Sequence, residues 1–139
     1  AELVPVLAAY GVSRVLTSPS ERCLRTVEPF TDAAGVRLRT RTGLSEEGFE
    51  ADPRTAPAHL GRLIDRGEPA VLCTHGPVLP SLLDDLEGRL DLDQPASVEV
   101  IEEFAEARDD RLAKGEALVC HVVGTGDDAR IVAVERHLP

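Results

Sequence analysis

Residues 69–80 read PAVLCTHGPVLP, and this stretch decides the fold. Pro69 to Thr74 is a continuous apolar run between turn signals, the pattern of a strand buried on both faces. His75 and Gly76 interrupt it. A helix follows from Val78 to about Leu86, with Val78, Leu79, Leu82, Leu83 and Leu86 apolar. Pro77 suits its first turn, where no amide donor is needed. The histidine therefore stands just past the carboxyl end of a buried strand, where open α/β sheets gather their sites. Gly76 allows close backbone approach, and the following helix offers unpaired amides to an anion.

Working outward, the same strand-then-helix grammar recurs. Arg14 to Thr17 reads as a short strand, followed by a helix from about Ser20 to Ala34 with Gly35 as its stop signal and Pro29 expected to kink it. Val36 to Thr40 alternates like a strand with one face more exposed. Thr42 to Asp52 reads as a loop. A helix covers roughly Thr55 to Arg66, with Ala56, Leu60, Leu63 and Ile64 on its apolar face and Gly67 ending it. One more helix is expected around Val98, Ile101, Phe104 and Ala105. EALVCHVV and RIVAVERH, separated by GTGDDA, predict a closing hairpin. Strands alternating with helices imply an α/β fold with a mainly parallel sheet flanked by helices, the final pair forming an antiparallel edge.

The 139 residues suffice for one domain, and a net charge of -10 argues against broad nucleic-acid or anionic-membrane binding. A few arginines in a pocket still admit a small anionic ligand. Cys23, Cys73 and Cys120 have no metal-like spacing and read as reduced thiols of a cytoplasmic protein. No apolar run approaches ~18 residues, so no transmembrane helix is expected, and no signal peptide is visible. The chain has no methionine and opens inside an amphipathic pattern, AELVPVLAAYG, without a preceding cap. We expect it to be a piece of a longer protein.

Three stretches that follow strands carry candidate chemistry. In TSPSERCLRT (17–26), Arg22 lies one turn into a helix and can give a two-pronged fork to phosphate beside the helix amides; Arg25, three residues on, is a secondary candidate. In GLSEEGFE (43–50), Glu46, Glu47 and Glu50 offer a loop carboxylate that could act as general acid. His75 with Gly76 could donate to a phosphoryl oxygen. Each also has a plain reading: a solvated arginine, a surface acidic loop, a histidine that caps a helix. His59, His121 and His137 have no ligand-like spacing and read as ordinary helix and strand residues.

The combination is more specific than its parts. Ser-Pro-x-x-Arg-x-x-x-Thr at 18–26, Leu-x-Glu at 44–46 and an apolar strand running into His-Gly at 71–76, in that order, resemble the histidine phosphatase (phosphoglycerate-mutase-like) superfamily. The resemblance implies a phosphohydrolase working through a phosphohistidine. Arg22 would clamp phosphate, Glu46 would protonate the leaving group with Glu47 as runner-up, His75 would be the second pocket histidine, and the Gly76 amide would help hold phosphate. It implies no metal. The family's nucleophile sits in Arg-His-Gly on a central first strand, and this chain has none; its single Arg-His is Arg136-His137, followed by Leu138. Residues 1–139 are thus expected to be a truncated histidine-phosphatase-like domain whose first strand is missing, inactive by itself.

A narrower resemblance rests on RCLRTVEPF, GLSEEGFE, VLCTHGPVLPSLL and VAVERHLP. These look like the C-terminal phosphatase-like half of actinobacterial MutT-type Nudix proteins. That would imply nucleotide substrates, such as oxidised purine nucleotides or dinucleoside polyphosphates, and an upstream Nudix domain. No Nudix box occurs here, so Mg2+ would belong to that other domain. The alternative is a non-catalytic phosphate-binding module, or a dimerisation module that forms a homodimer in a Nudix protein.

Overall fold

The computed structural model describes residues 3–91, 93, 97–110 and 116–137. In chain order these form α1 (Leu3–Ala9), β1 (Arg14–Thr17), α2 (Glu21–Ala34), β2 (Leu38–Thr40), a 3-10 turn (Thr42–Leu44), α3 (Glu46–Ala51), α4 (Thr55–Arg66), β3 (Ala70–Cys73), α5 (Leu79–Glu87), α6 (Ser97–Asp110), β4 (Ala117–Val123) and β5 (Arg130–His137). A short 3-10 turn, Gly126–Asp128, joins the last two strands.

β1 is the axis. It pairs in parallel with β2 on one side and β3 on the other, with Val15 opposite both Leu38 and Val71. Val15 and Leu16 are 0% and 5% exposed, so both faces of the strand are covered. Successive side chains of a strand point to opposite faces. Val15 accordingly packs with Leu7, Val27 and Phe30 from α1 and α2, while Leu16 packs with Leu44, Leu63, Val78 and Leu82 on the other side. Full burial of a valine or leucine side chain contributes about 1.5–3 kcal/mol. These two neighbours therefore fix the three-layer arrangement.

The helix ends follow from local chemistry. Ser20 caps α2 by accepting the Cys23 amide at 3.4 Å. Gly35 and Gly67 end α2 and α4 at φ 67° and 72°, left-handed conformations that glycine adopts without a Cβ clash. Pro29 lies on the exposed side of α2, which continues through it.

The structure departs from the sequence reading in three places. The 42–52 segment is a turn and a short helix rather than a loop, because Ser45 caps α3 by accepting the Gly48 amide at 3.0 Å and donates to the Thr42 carbonyl at 2.6 Å. All four residues of β3 are half-buried, where burial on both faces was expected. The cause is position, since β3 ends the three-stranded sheet and pairs with β1 alone among the described residues. The closing hairpin is antiparallel as expected, but β4 and β5 form their own two-stranded sheet instead of an edge of the first.

The hairpin is held by α6, α5 and α4 through Phe104, Leu83, Ile64 and Ile131. It also touches the start of the chain. The Tyr10 hydroxyl donates to Glu135 at 3.2 Å and lies 3.2 Å from His137 Nε2. His121 Nε2 is 2.6 Å from the same carboxylate.

Candidate active site

The carboxyl ends of β1 and β3 lie side by side, with Thr17 opposite Cys73. The segments that follow them, and the turn before α3, converge there. Ser20, Arg22, Glu46, Glu47 and His75 line one open cleft of about 280 Å³. That is at the small end of ligand sites, which run from about 300 Å³ upward. It suits a phosphate-sized group.

Each lining side chain arrives by a definite route. Arg22 is in the first turn of α2, exposed, and its guanidinium has no ion-pair partner among the described residues. Arg25 instead pairs with Glu21 at 2.6 Å on the exposed helix surface, which removes the secondary candidate from the cleft. Glu46 and Glu47 form the first turn of α3. Thr74 Oγ1 donates to the Leu44 carbonyl at 2.6 Å, fastening the turn before α3 to the end of β3. Glu50 belongs to α3 but does not line the cleft. Gly76 follows His75 into the turn before α5, where its carbonyl accepts from the Leu79 amide at 3.2 Å.

His75 is held from below. Its Nε2 lies 2.9 Å from the hydroxyl of Ser18, which is fully buried and also accepts the Ser20 amide at 3.3 Å. The Cys23 thiol is 3.7 Å from the same nitrogen. His75 Nδ1 has no partner among the described residues. Ser18, Ser20 and Cys23 were not singled out as site residues in the sequence. The serines that flank Pro19 were the available sign, since one ends a strand and the next caps a helix.

The other three histidines lie apart from the cleft. His59 is on α4, with Arg62 Nη2 at 3.1 Å from its Nδ1. Burial, with Arg62 and Arg41 nearby, holds its pKa below the ordinary value. His121 and His137 gather around Glu135 on the hairpin. Hydrogen bonding from His121 holds the Glu135 carboxyl below its usual range, helped by Tyr10. Among the described residues no group of three or more His, Cys, Asp or Glu side chains is placed to hold a metal ion. No helix among them is long and apolar enough to cross a membrane.

Residues 1–52 match the model of the histidine phosphatase superfamily (branch 1). Over those 52 residues the chain is similar to that superfamily. The matched segment runs through the Arg22 helix and the Glu46 turn, and His75 lies beyond it. The chain is also 30% identical over 82 residues to an 8-oxo-(d)GTP phosphatase of Mycolicibacterium smegmatis (strain ATCC 700084 / mc(2)155). That match takes in 59% of this chain and 26% of the relative, so the chain spans about a quarter of that protein's length.

Proposed function

We propose that this domain binds the phosphoryl group for a histidine-type phosphohydrolase acting on small phosphorylated metabolites or nucleotides. The carrying observation is the meeting of Arg22, Glu46, Glu47 and His75 in one phosphate-sized cleft at the carboxyl ends of parallel strands. Arg22 supplies the fixed positive charge and a two-pronged fork. The α2 N-terminus adds its amide dipoles, as helix starts do for anions. With Nε2 held by Ser18, His75 offers Nδ1 to a phosphoryl oxygen, and the Gly76 amide would help hold the same group. Glu46 is the acid that gives a proton to the departing oxygen, with Glu47 next to it as the substitute.

The attacking group in this reading is a histidine supplied from outside the 139 residues. Its nitrogen would bond to phosphorus as the bond to the leaving oxygen breaks, and water would then release phosphate. The edge of β3 that no described strand covers, next to His75, is where a further parallel strand could deliver it. A nucleotide substrate, oxidised purine nucleotides first and dinucleoside polyphosphates second, is supported by the activity for which the Mycolicibacterium relative is named. An upstream Nudix domain with its own Mg2+ belongs to the same reading. The rival is a non-catalytic phosphate-binding or dimerisation module, favoured by the lack of Arg-His-Gly in this sequence.

The test is a phosphate titration of this chain followed by NMR, with Arg22→Ala alongside. We expect millimolar affinity, resonance shifts centred on residues 18–23 and 74–78, and a loss of about tenfold or more in the variant, the worth of one charge-assisted contact. Shifts spread over other surfaces, or an unchanged variant, would refute the site. Turnover of p-nitrophenyl phosphate by this chain alone would refute the outside nucleophile. An acid-labile phosphohistidine trapped on a longer parent chain would remove the non-catalytic rival.

A further inference from the structure

The edge of the sheet opposite β3 carries a row of cations that the cleft does not use. β2 pairs with β1 alone among the described residues, so its other side is a free edge. The Arg41 amide donates to the Thr17 carbonyl at the end of β1 at 2.9 Å. Successive amides of a strand alternate in direction, so those of Leu38 and Thr40 point out to the free edge. Side chains alternate too. Leu38 packs with the α1 and α2 side of the core, which turns Arg37 and Arg39 to the α4 face. Arg41 continues the series in extended backbone, at φ -140°. Arg39 is in register with Leu16, and Arg14 lies two residues before Leu16 on that same face of β1. α4 supplies a second row. His59, Arg62 and Arg66 recur at helical spacing on one side. Arg62 Nη2 is 3.1 Å from His59 Nδ1, and a Cβ at Gly43 would lie 3.6 Å from His59 Nε2, which sets this side of α4 against the end of β2. Arg14 and Arg66 share Glu68, at 3.5 and 4.0 Å.

Six of the chain's 15 arginines and lysines thus gather on one strip of a molecule whose net charge is -10. Glu68 is the one carboxylate that pairs with any of them among the described residues. Arg14 Nε is buried and has no hydrogen-bond partner among those residues. Repulsion from Arg14 holds the Arg39 guanidinium below its ordinary value, with desolvation and Arg37, Arg41 and Arg66 adding to it. Such a strip calls for an anionic occupant. A second copy of the chain is disfavoured, because pairing β2 with β2 would set arginines against arginines. Arginines at alternate strand positions recur every ~6.6 Å, and so do the alternate side chains of any strand laid beside them. We propose that the free edge of β2 is a docking surface for an extended acidic segment of a partner protein. The segment adds as a further strand, its backbone bonding the outward amides of Leu38 and Thr40, and sets carboxylates at alternate positions against Arg37, Arg39 and Arg41.

The experiment uses the whole 139-residue chain and two synthetic peptides of one composition. One alternates Glu and Thr, and the other carries its glutamates in a single block. NMR titration and amide hydrogen exchange follow each peptide at low and high salt. We expect the alternating peptide to bind about tenfold or more tightly than the block peptide, with affinity falling as salt rises. Resonance shifts should centre on residues 36–41 and 59–66, and exchange should slow at Leu38 and Thr40. Arg37→Glu combined with Arg39→Glu should weaken binding about tenfold or more, and leave the phosphate shifts at the cleft unchanged. Arg37 is exposed, so Arg37→Glu alone serves where the double variant does not fold. No binding of the alternating peptide at low salt overturns the proposal, and so does equal affinity for the two peptides. Binding that leaves exchange at Leu38 and Thr40 unchanged overturns it too, because the strip is then a plain surface for anions such as inorganic tripolyphosphate. Unchanged binding by a charge-reversed variant has the same consequence.

Discussion

The tightest backbone approach at the cleft is at Gly48, and replacing it gives a sharp test of how the carboxylates are held. A Cβ built there would sit 2.0 Å from the Thr42 carbonyl oxygen, 2.7 Å from its carbon and 3.1 Å from Gly43 Cα. Ordinary contact begins at 3.4 Å, so Gly48→Ala must open the gap between α3 and the preceding turn by roughly 1.4 Å. The obstacle is backbone, which cannot swing aside. Overpacking of this kind costs about 1–3 kcal/mol, against about 1 kcal/mol that alanine returns in a helix. The net is up to about 2 kcal/mol of destabilisation, which lowers Tm by up to about 8 °C for a domain of this size. Gly61→Ala is the control. It lies inside α4, where a Cβ meets just one atom, Arg89 Nη2 at 3.5 Å. That variant should gain about 0.5–1 kcal/mol and melt higher. Thermal melts by circular dichroism read both. If Gly48→Ala melts above the wild type, as Gly61→Ala should, α3 does not rest on the 42–44 turn. Glu46 and Glu47 are then not pinned at the cleft.

Two shorter predictions probe the neighbouring joints. Thr74→Val keeps the shape but removes the donor to the Leu44 carbonyl at 2.6 Å. It should cost about 1–2 kcal/mol by denaturant unfolding, and an unchanged midpoint would refute the link between turn and strand. Glu135→Gln tests the hairpin clasp through pH. The folded carboxyl is held below the ordinary 4.5, so its stabilisation is complete above that value and fades as pH falls through the lower folded value. The Tm gap between wild type and variant should be present at pH 7 and close progressively as pH falls below 4.5. A gap that persists at lower pH would mean the variant perturbs packing rather than charge.

The sequence reading succeeded where the signal was local. Ser20 and Gly35 bracket α2, Gly67 stops α4, and the apolar run into His75 placed a strand end and a helix start within a few residues. The mainly parallel order followed from strands separated by helices. The errors came from non-local facts. The half-buried state of β3 depends on which strands lie beside it, and its apolar run carries no mark of that. The hairpin's separation into its own sheet is likewise a matter of neighbours. The missed helix at Glu46–Ala51 was a local failure: Ser45 followed by two glutamates is a capping pattern, hidden by glycines on either side. In the cleft, Arg22, Glu46 and His75 share one lining, a set that the sequence suggested through its family resemblance and not through spacing. Ser18 and Cys23 reach His75 through space from positions 57 and 52 residues away, and no spacing rule reports such contacts.

The clasp between Tyr10 and Glu135 bears on the order of folding. These partners are 125 positions apart. Closing a free loop of that length costs about 4 kcal/mol by the logarithmic rule, beyond the constant term. One half-exposed hydrogen bond cannot meet that cost alone. The clasp therefore closes after β1 has recruited β2 and β3 and after α6 has seated the hairpin, when the loop is already short. In reverse, it is the first long-range contact to open. The junction of α1 with β5 is then the seam along which the native domain breathes, far from the end of the sheet where His75 waits.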